Sequence, residues 1–256
     1  MRSFWTLYSK EMLETLRSYK LVWIPIVFII LGIMQPLVTY YMRDILEASA
    51  NVPAGMLESF EMPEAAAVMA QALGQYGTIG ILVLALGSMN ALAGERSSGT
   101  AELLMAKPVT PIVIIIAKWA AQLTLLVIAL GLGAAGAGYY TEELMGPLAW
   151  GEVAAATGIY GLWLLCGVSL TLLFSSFLRG PAAVFLALAL VAGVSLAYGL
   201  LPTRLAWTLA ALPGLSAGVL VDSGTVGVGP FLSAAVLIVL CIAGSALLTS
   251  RNKLPV

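Results

Sequence analysis

Long oily runs, separated by short charged breaks, set the pattern of this chain. Six stretches reach or approach the roughly 20 mostly apolar residues that a helix needs to cross the hydrocarbon core of a bilayer. They lie at about 21–42, 76–93, 112–138, 153–174, 182–200 and 231–249. In lipid each must be helical, because every backbone N–H and C=O needs a partner inside its own segment. The second and fourth runs are the least sharply bounded. The expectation is an all-α polytopic membrane protein of six transmembrane helices, forming a single transmembrane domain over 1–256.

The segments between the runs have their own periodicities. In residues 1–20, Trp5, Tyr8, Met12, Leu16 and Tyr19 recur at helical spacing. Lys10, Glu14 and Arg17 lie on the other side, and Lys10 with Glu14 makes an i,i+4 pair. This predicts an amphipathic helix lying in the headgroup plane, either as a basic anchor that fixes topology or as one that also touches a partner. The acidic segment 43–71 contains Pro53 and Pro63, and its end is rich in helix formers that can extend the second span. Pro181 suits the first turn of the fifth helix. Residues 201–229 are too apolar for a solvated loop, yet each half is too short to span. With Pro213-Gly214 as the turn, they predict an external re-entrant-like hairpin before the last span. Small residues crowd Gly131–Gly138 and recur at Ala189, Gly193 and Ala197, permitting close helix approach within the chain or along a dimer seam.

Composition agrees with the pattern. The chain is 61% hydrophobic and 10% charged, where soluble domains carry about 25% charged residues. The polar leader running to Lys20 is long for a signal peptide, and no small-residue cleavage site follows. The first span is therefore expected to stay as an anchor. Charge supplies orientation: with the amino terminus cytoplasmic, ten of the twelve Lys and Arg residues fall inside, and only Arg43 and Arg204 fall outside. That asymmetry predicts both termini in the cytoplasm.

Catalytic chemistry is sparse. The chain has no histidine, which excludes HExxH zinc sites and His-dependent triads. Cys166 and Cys241 fall inside spans and read as buried small hydrophobes. No acidic residue sits near the middle of a span, as proton-coupled carriers require. Gln35 and Asn90 remain as weak polar candidates. Gly94 and Gly99, followed by Thr100, look at first like a phosphate loop, but no Lys follows Gly99 and no strand precedes it.

The stretch "ALAGERSSGTAELLMAKPVTP" at 91–111 reads better as an interface. Gly94 and Gly99 break the second span, Thr100 or Ser98 caps a following helix, and Glu102 favours its first turn. Residues 101–107 then form a short helix with Leu103, Leu104 and Met105 beside charged ends, stopped by Pro108. An apolar knob with charged flanks suits a groove on another protein; a plain topogenic loop is the other reading.

This stretch resembles the cytoplasmic signature of the permease subunits of type-2 ABC exporters, the type V exporter class. Glu95, Gly99, Thr100, Glu102, Leu103, Leu104, Pro108, Val109 and Thr110 match its pattern, and Pro111 stands where the family has Arg. Lys118 or Lys107 is available as a substitute. The leader, with Trp5, Lys10, Glu11 and Arg17, is similar to the family's interfacial helix. The likeness extends to the sodium-export, antibiotic-resistance and nitrous-oxide-reductase-maturation permeases. It implies a transport subunit that is not itself an enzyme and binds no cofactor. ATP and Mg would be bound by a partner ATPase subunit, contacted through Glu95, Arg96, Gly99, Thr100, Glu102, Leu103, Leu104 and Pro108. Arg96 holding a phospholipid headgroup is an equal reading. The resemblance also implies a second permease subunit, most simply a homodimer, in a bacterial or archaeal plasma membrane, with no nucleic acid partner. A stand-alone secondary carrier and a non-transport membrane scaffold are the alternatives.

Overall fold

The computed structural model describes residues 2–48, 61–97, 110–221 and 227–251, and the side chains of these except 2, 95–97 and 251. Among the described residues the chain is helical throughout, without a strand. A leader helix α1 (Arg2–Arg17) precedes the first span α2 (Lys20–Tyr40) and a short α3 (Met42–Ala48). The second span is assembled from α4 (Ala65–Gln75), a π turn (Tyr76–Gly80), α5 (Ile81–Ser88) and α6 (Asn90–Ser97). The third, fourth and fifth spans are α7 (Pro111–Met145), α8 (Trp150–Ser175) and α9 (Gly180–Leu200). After α10 (Pro202–Leu205), a 3-10 turn (Leu209–Ala211) and α11 (Leu212–Val221), the sixth span α12 (Gly229–Arg251) closes the described chain. Among the described residues six helices are thus long and apolar enough to cross a membrane.

The second span starts at Ala65, because "AAAVMAQAL" continues the helix beyond the oily run, as the helix formers at the end of the acidic segment allowed. Two expectations change. Gly94 does not break that span: α6 runs through it to Ser97. A lone glycine costs a helix only about 1 kcal/mol against alanine, which packed neighbours offset. In the hairpin, Pro213-Gly214 is not the turn but the start of α11, where a proline lacking its N–H is tolerated. A turn at 206–208 separates α10 from the 3-10 turn.

The most extensive helix contact joins the first and third spans. It is close because Gly32 and Gly133 face each other: a Cβ added at Gly133 would lie 2.8 Å from the Phe28 carbonyl oxygen and 2.6 Å from Tyr76 Oη. Tyr76 of the π turn closes this crossing. Its ring stacks on Phe28 at 4.9 Å, and its hydroxyl donates to the Phe28 carbonyl at 3.1 Å. The fourth span is the central pillar, in contact with the other spans' helices α5, α6, α7, α9 and α12, and with α11. Ser216 fastens α11 to it by donating to the Ala156 carbonyl at 2.8 Å. At one end of the bundle Leu92, Ile115 and Leu172 pack with Trp119, Ile242 and Ala246. This joins the second, third, fourth and sixth spans, and we call it the near end.

Candidate functional site

At the near end α1 lies against the third span and also touches the first. Its inward face is not the apolar stripe read from the sequence. Tyr8, Glu11, Met12 and Thr15 turn toward the bundle, while Trp5, Leu13, Leu16 and Tyr19 face outward together with Lys10, Glu14 and Arg17. Tyr8 and Met12 therefore part company with Trp5, Leu16 and Tyr19. Spacing of three and four along the helix puts Tyr8, Glu11 and Thr15 on one stripe. Leu7 and Met12 are half-buried beside that stripe, so the contact combines apolar side chains with hydrogen bonds and charge.

Lys118 of the third span is the centre of this contact. Its ammonium donates to Glu11 Oε1 at 2.9 Å, with side-chain exposures of 2% for Lys118 and 12% for Glu11. Lys10 Nζ approaches the same oxygen at 3.0 Å and Glu14 at 3.8 Å. One carboxylate thus bridges a buried and a half-exposed ammonium. A second tie lies farther along the third span, where Tyr8 Oη and Thr124 Oγ1 are 2.9 Å apart. Beyond the lysine, Trp119 Nε1 donates to Ser169 Oγ of the fourth span at 2.9 Å. A lysine this deeply buried survives only with its charge paired and hydrogen-bonded. Lys118 meets that requirement in its pairing with Glu11.

The other sequence-derived candidates divide. Glu95 and Arg96 sit in the last turn of α6, at the near end, and of their side chains nothing is described. Gly99, Thr100, Glu102, Leu103, Leu104 and Pro108, with the helix expected at 101–107, lie outside the described residues. Trp5 is exposed and Arg17 ends α1. Asn90 packs against the turn between the fourth and fifth spans, its Oδ1 lying 2.7 Å from where a Cβ on Gly180 would be.

Toward the far end the second span carries a polar strip that the hydropathy pattern hid. Gln35 Nε2 donates to Gln71 Oε1 at 2.7 Å, and Gln75 Nε2 donates to Gln35 Oε1 at 3.0 Å. Gln71 and Thr78 are exposed along this face, which continues through Leu82 and Leu86. The i,i+4 spacing of Gln71 and Gln75 was the available signal. The π turn lies just beyond, a feature frequent at functional sites. Between the third and fourth spans runs a groove of about 530 Å³, walled by Leu126, Leu130, Gly131, Trp150, Gly158 and Leu162 among others. Thr157 and Trp150, its polar-tipped members, spend their hydrogens on the Val153 carbonyl and on Glu142. The groove is therefore walled mostly by hydrocarbon. Among the described residues no group of His, Cys, Asp and Glu is arranged to hold a metal ion, and both cysteines are buried.

Two comparisons bear on these features. A family model described as ABC-2 family transporter protein matches residues 5–250. An uncharacterized transmembrane protein of Bacillus subtilis (strain 168), YxlG, is 36% identical over 208 residues, covering 81% of each chain.

Proposed function

The chain belongs to the ABC-2 family of transporter proteins, and from that premise we propose that it is the permease of an ATP-driven exporter. As an ABC-2 chain it is an integral membrane subunit of an ABC system and not itself catalytic. The finer reading is that a separate ATPase subunit binds ATP and Mg and docks at the near end, which faces the cytoplasm of a bacterial or archaeal cell. Its contacts are Glu95, Arg96, Gly99, Thr100, Glu102, Leu103, Leu104 and Pro108, and the interfacial leader helix, with Trp5, Lys10, Glu11 and Arg17, helps to pass the motion to the spans. ATP binding and hydrolysis there shift a packed membrane dimer between two arrangements.

The observation that carries this reading is the anchoring of α1. The leader is bonded into the third span at Lys118, seven residues after Pro111, where that span leaves the signature loop. A docked ATPase would therefore push on a helix already joined to the bundle. A second copy of the permease fits the outward strip of Gln71 and Thr78. An amide facing lipid is costly, and the Gln71 amide nitrogen and the Thr78 hydroxyl offer hydrogen bonds to a two-fold-related copy.

The deciding experiment is a mild-detergent pull-down of tagged chain from native membranes, followed by mass spectrometry. The expected result is a stoichiometric protein bearing G-x-x-x-x-G-K-[ST], lost in the Leu103→Asp/Glu102→Lys variant. Recovery of folded chain with no such ATPase would overturn the reading.

A further inference from the structure

The buried Glu11–Lys118 pair has a consequence for how force enters the bundle. The connection between α1 and α2 is abrupt. Tyr19 is the only described non-glycine residue with positive φ, at 57°, and its side chain is 72% exposed. No packing of that ring holds the junction. Residues in the left-handed region mark places where a helix stops rather than bends. By contrast, α1 is tied to the third span twice, at Lys118 and at Thr124, six residues or about 9 Å apart along that helix. The leader is thus covalently continuous with the first span but bonded sideways to the third.

We propose that α1 and the third span form one rigid lever, joined by the Glu11–Lys118 pair and jointed to the first span at Tyr19. Lys118 is a positioning residue: it touches no cargo and no nucleotide, and it acts by making the leader's displacement the third span's displacement. The signature loop enters that same span at Pro111, so both near-end contacts load one helix. The first span crosses that lever at Gly32–Gly133 and moves relative to it about the Tyr19 joint. For the source of the force this rests on the proposed ATPase partner; the joining of α1 to the third span does not.

The test uses the full chain in nanodiscs, with spin labels at Leu13→Cys and Ile116→Cys to read the leader against the third span. A second pair, Leu13→Cys and Met34→Cys, reads the leader against the first span. All three positions are exposed, while Cys166 and Cys241 are 2% exposed and stay unlabelled. The 13–116 distance is expected to be a single narrow population in the chain alone. Lys118→Met is expected to spread it into a second, longer population, and Glu11→Lys/Lys118→Glu to restore the single one. Lys118→Arg, which keeps the charge, is expected to stay narrow and controls for a swap that folds poorly. A narrow distance in Lys118→Met overturns the joining. With the ATPase bound, a non-hydrolysable ATP analogue is expected to shift 13–34 and leave 13–116 unchanged; the reverse overturns the lever. Failure to recover any ATPase would sink the proposed function while the measurements on the chain alone still decide the joining.

Discussion

The fourth and fifth spans are neighbours of similar hydrophobicity that play opposite parts. In the fourth, 72% of the most apolar stretch is buried; in the fifth, 22%. Gly167 of the fourth is pressed so closely that an added Cβ would meet Ile81 Cδ1 at 2.5 Å, while Gly193 and Gly199 of the fifth have nothing within 4 Å. Phe185, Leu196 and Leu200 of the fifth span all face outward. In water such a helix would be driven into the core. In lipid an outward leucine costs nothing, and only close packing and hydrogen bonds draw helices together. Apolarity therefore says that a helix spans, and small residues with partners say where it packs.

That contrast can be tested by substitution, beginning with the largest effect. Lys118→Ala strips the partner from a carboxylate that is itself 12% exposed. Breaking a buried pair from one side costs about 3–5 kcal/mol, and the remaining Lys10 contact places this case at the lower end. Equilibrium unfolding in mixed micelles should show it, and a loss below about 1 kcal/mol would mean that the pair is solvated. Next comes Gly133→Ala in the first–third crossing. The new methyl would sit 2.8 Å from a backbone oxygen, so overpacking should cost about 1–3 kcal/mol in the same assay. Tyr76→Phe keeps the stacked ring and removes the hydroxyl bonded to the Phe28 carbonyl. The expected loss is about 1 kcal/mol; an unchanged midpoint would show that the crossing rests on ring packing alone.

Sequence reasoning reached the spans because the bilayer imposes a length and a composition that any apolar run must declare. The ends of those spans were less legible. Gly94 looks like a terminator by propensity, yet the helix continues, since tertiary packing outweighs the small cost of one glycine. Pro213 looks like a turn and is a helix start, because proline is equally at home in both and only the fold around Ala156 and Ser216 chooses. The inward face of α1 was not legible in its periodicity. Trp5, Tyr8, Met12, Leu16 and Tyr19 form the apolar stripe that a water-facing helix would bury, but this helix lies where its outward side is expected to meet lipid headgroups. Its inward side carries Glu11 and Thr15 beside Leu7 and Met12, and Glu11 finds Lys118 across 107 residues of sequence. No local pattern announces such a pair; a single lysine seven residues into an oily run was the trace. Of the loop contacts, Glu95 and Arg96 lie in α6 and those from Gly99 to Pro108 fall outside the described residues, so the signature there stands on its residues alone.

The smallest effect on stability is the most informative about assembly. Small residues occur in both halves of the contrast: Gly133 and Ala137 of the third span are buried against the first, whereas Ala189, Gly193 and Ala197 of the fifth are exposed. Gly193→Leu adds a side chain where nothing lies within 4 Å, so the unfolding free energy of the isolated chain should move by no more than about 0.5 kcal/mol. If a second copy packs along this face, the same substitution pushes two backbones apart and the dimer weakens while the fold does not. Cross-linking of an Ala197→Cys variant in membranes, with and without Gly193→Leu, reads the two cases directly. A cross-link that forms with Gly193 in place and is lost on Gly193→Leu would assign the outward stripe to a partner copy. Cross-linking absent in both would leave it to lipid, and the second copy would then have to meet the chain elsewhere, at the exposed glutamine strip of the second span.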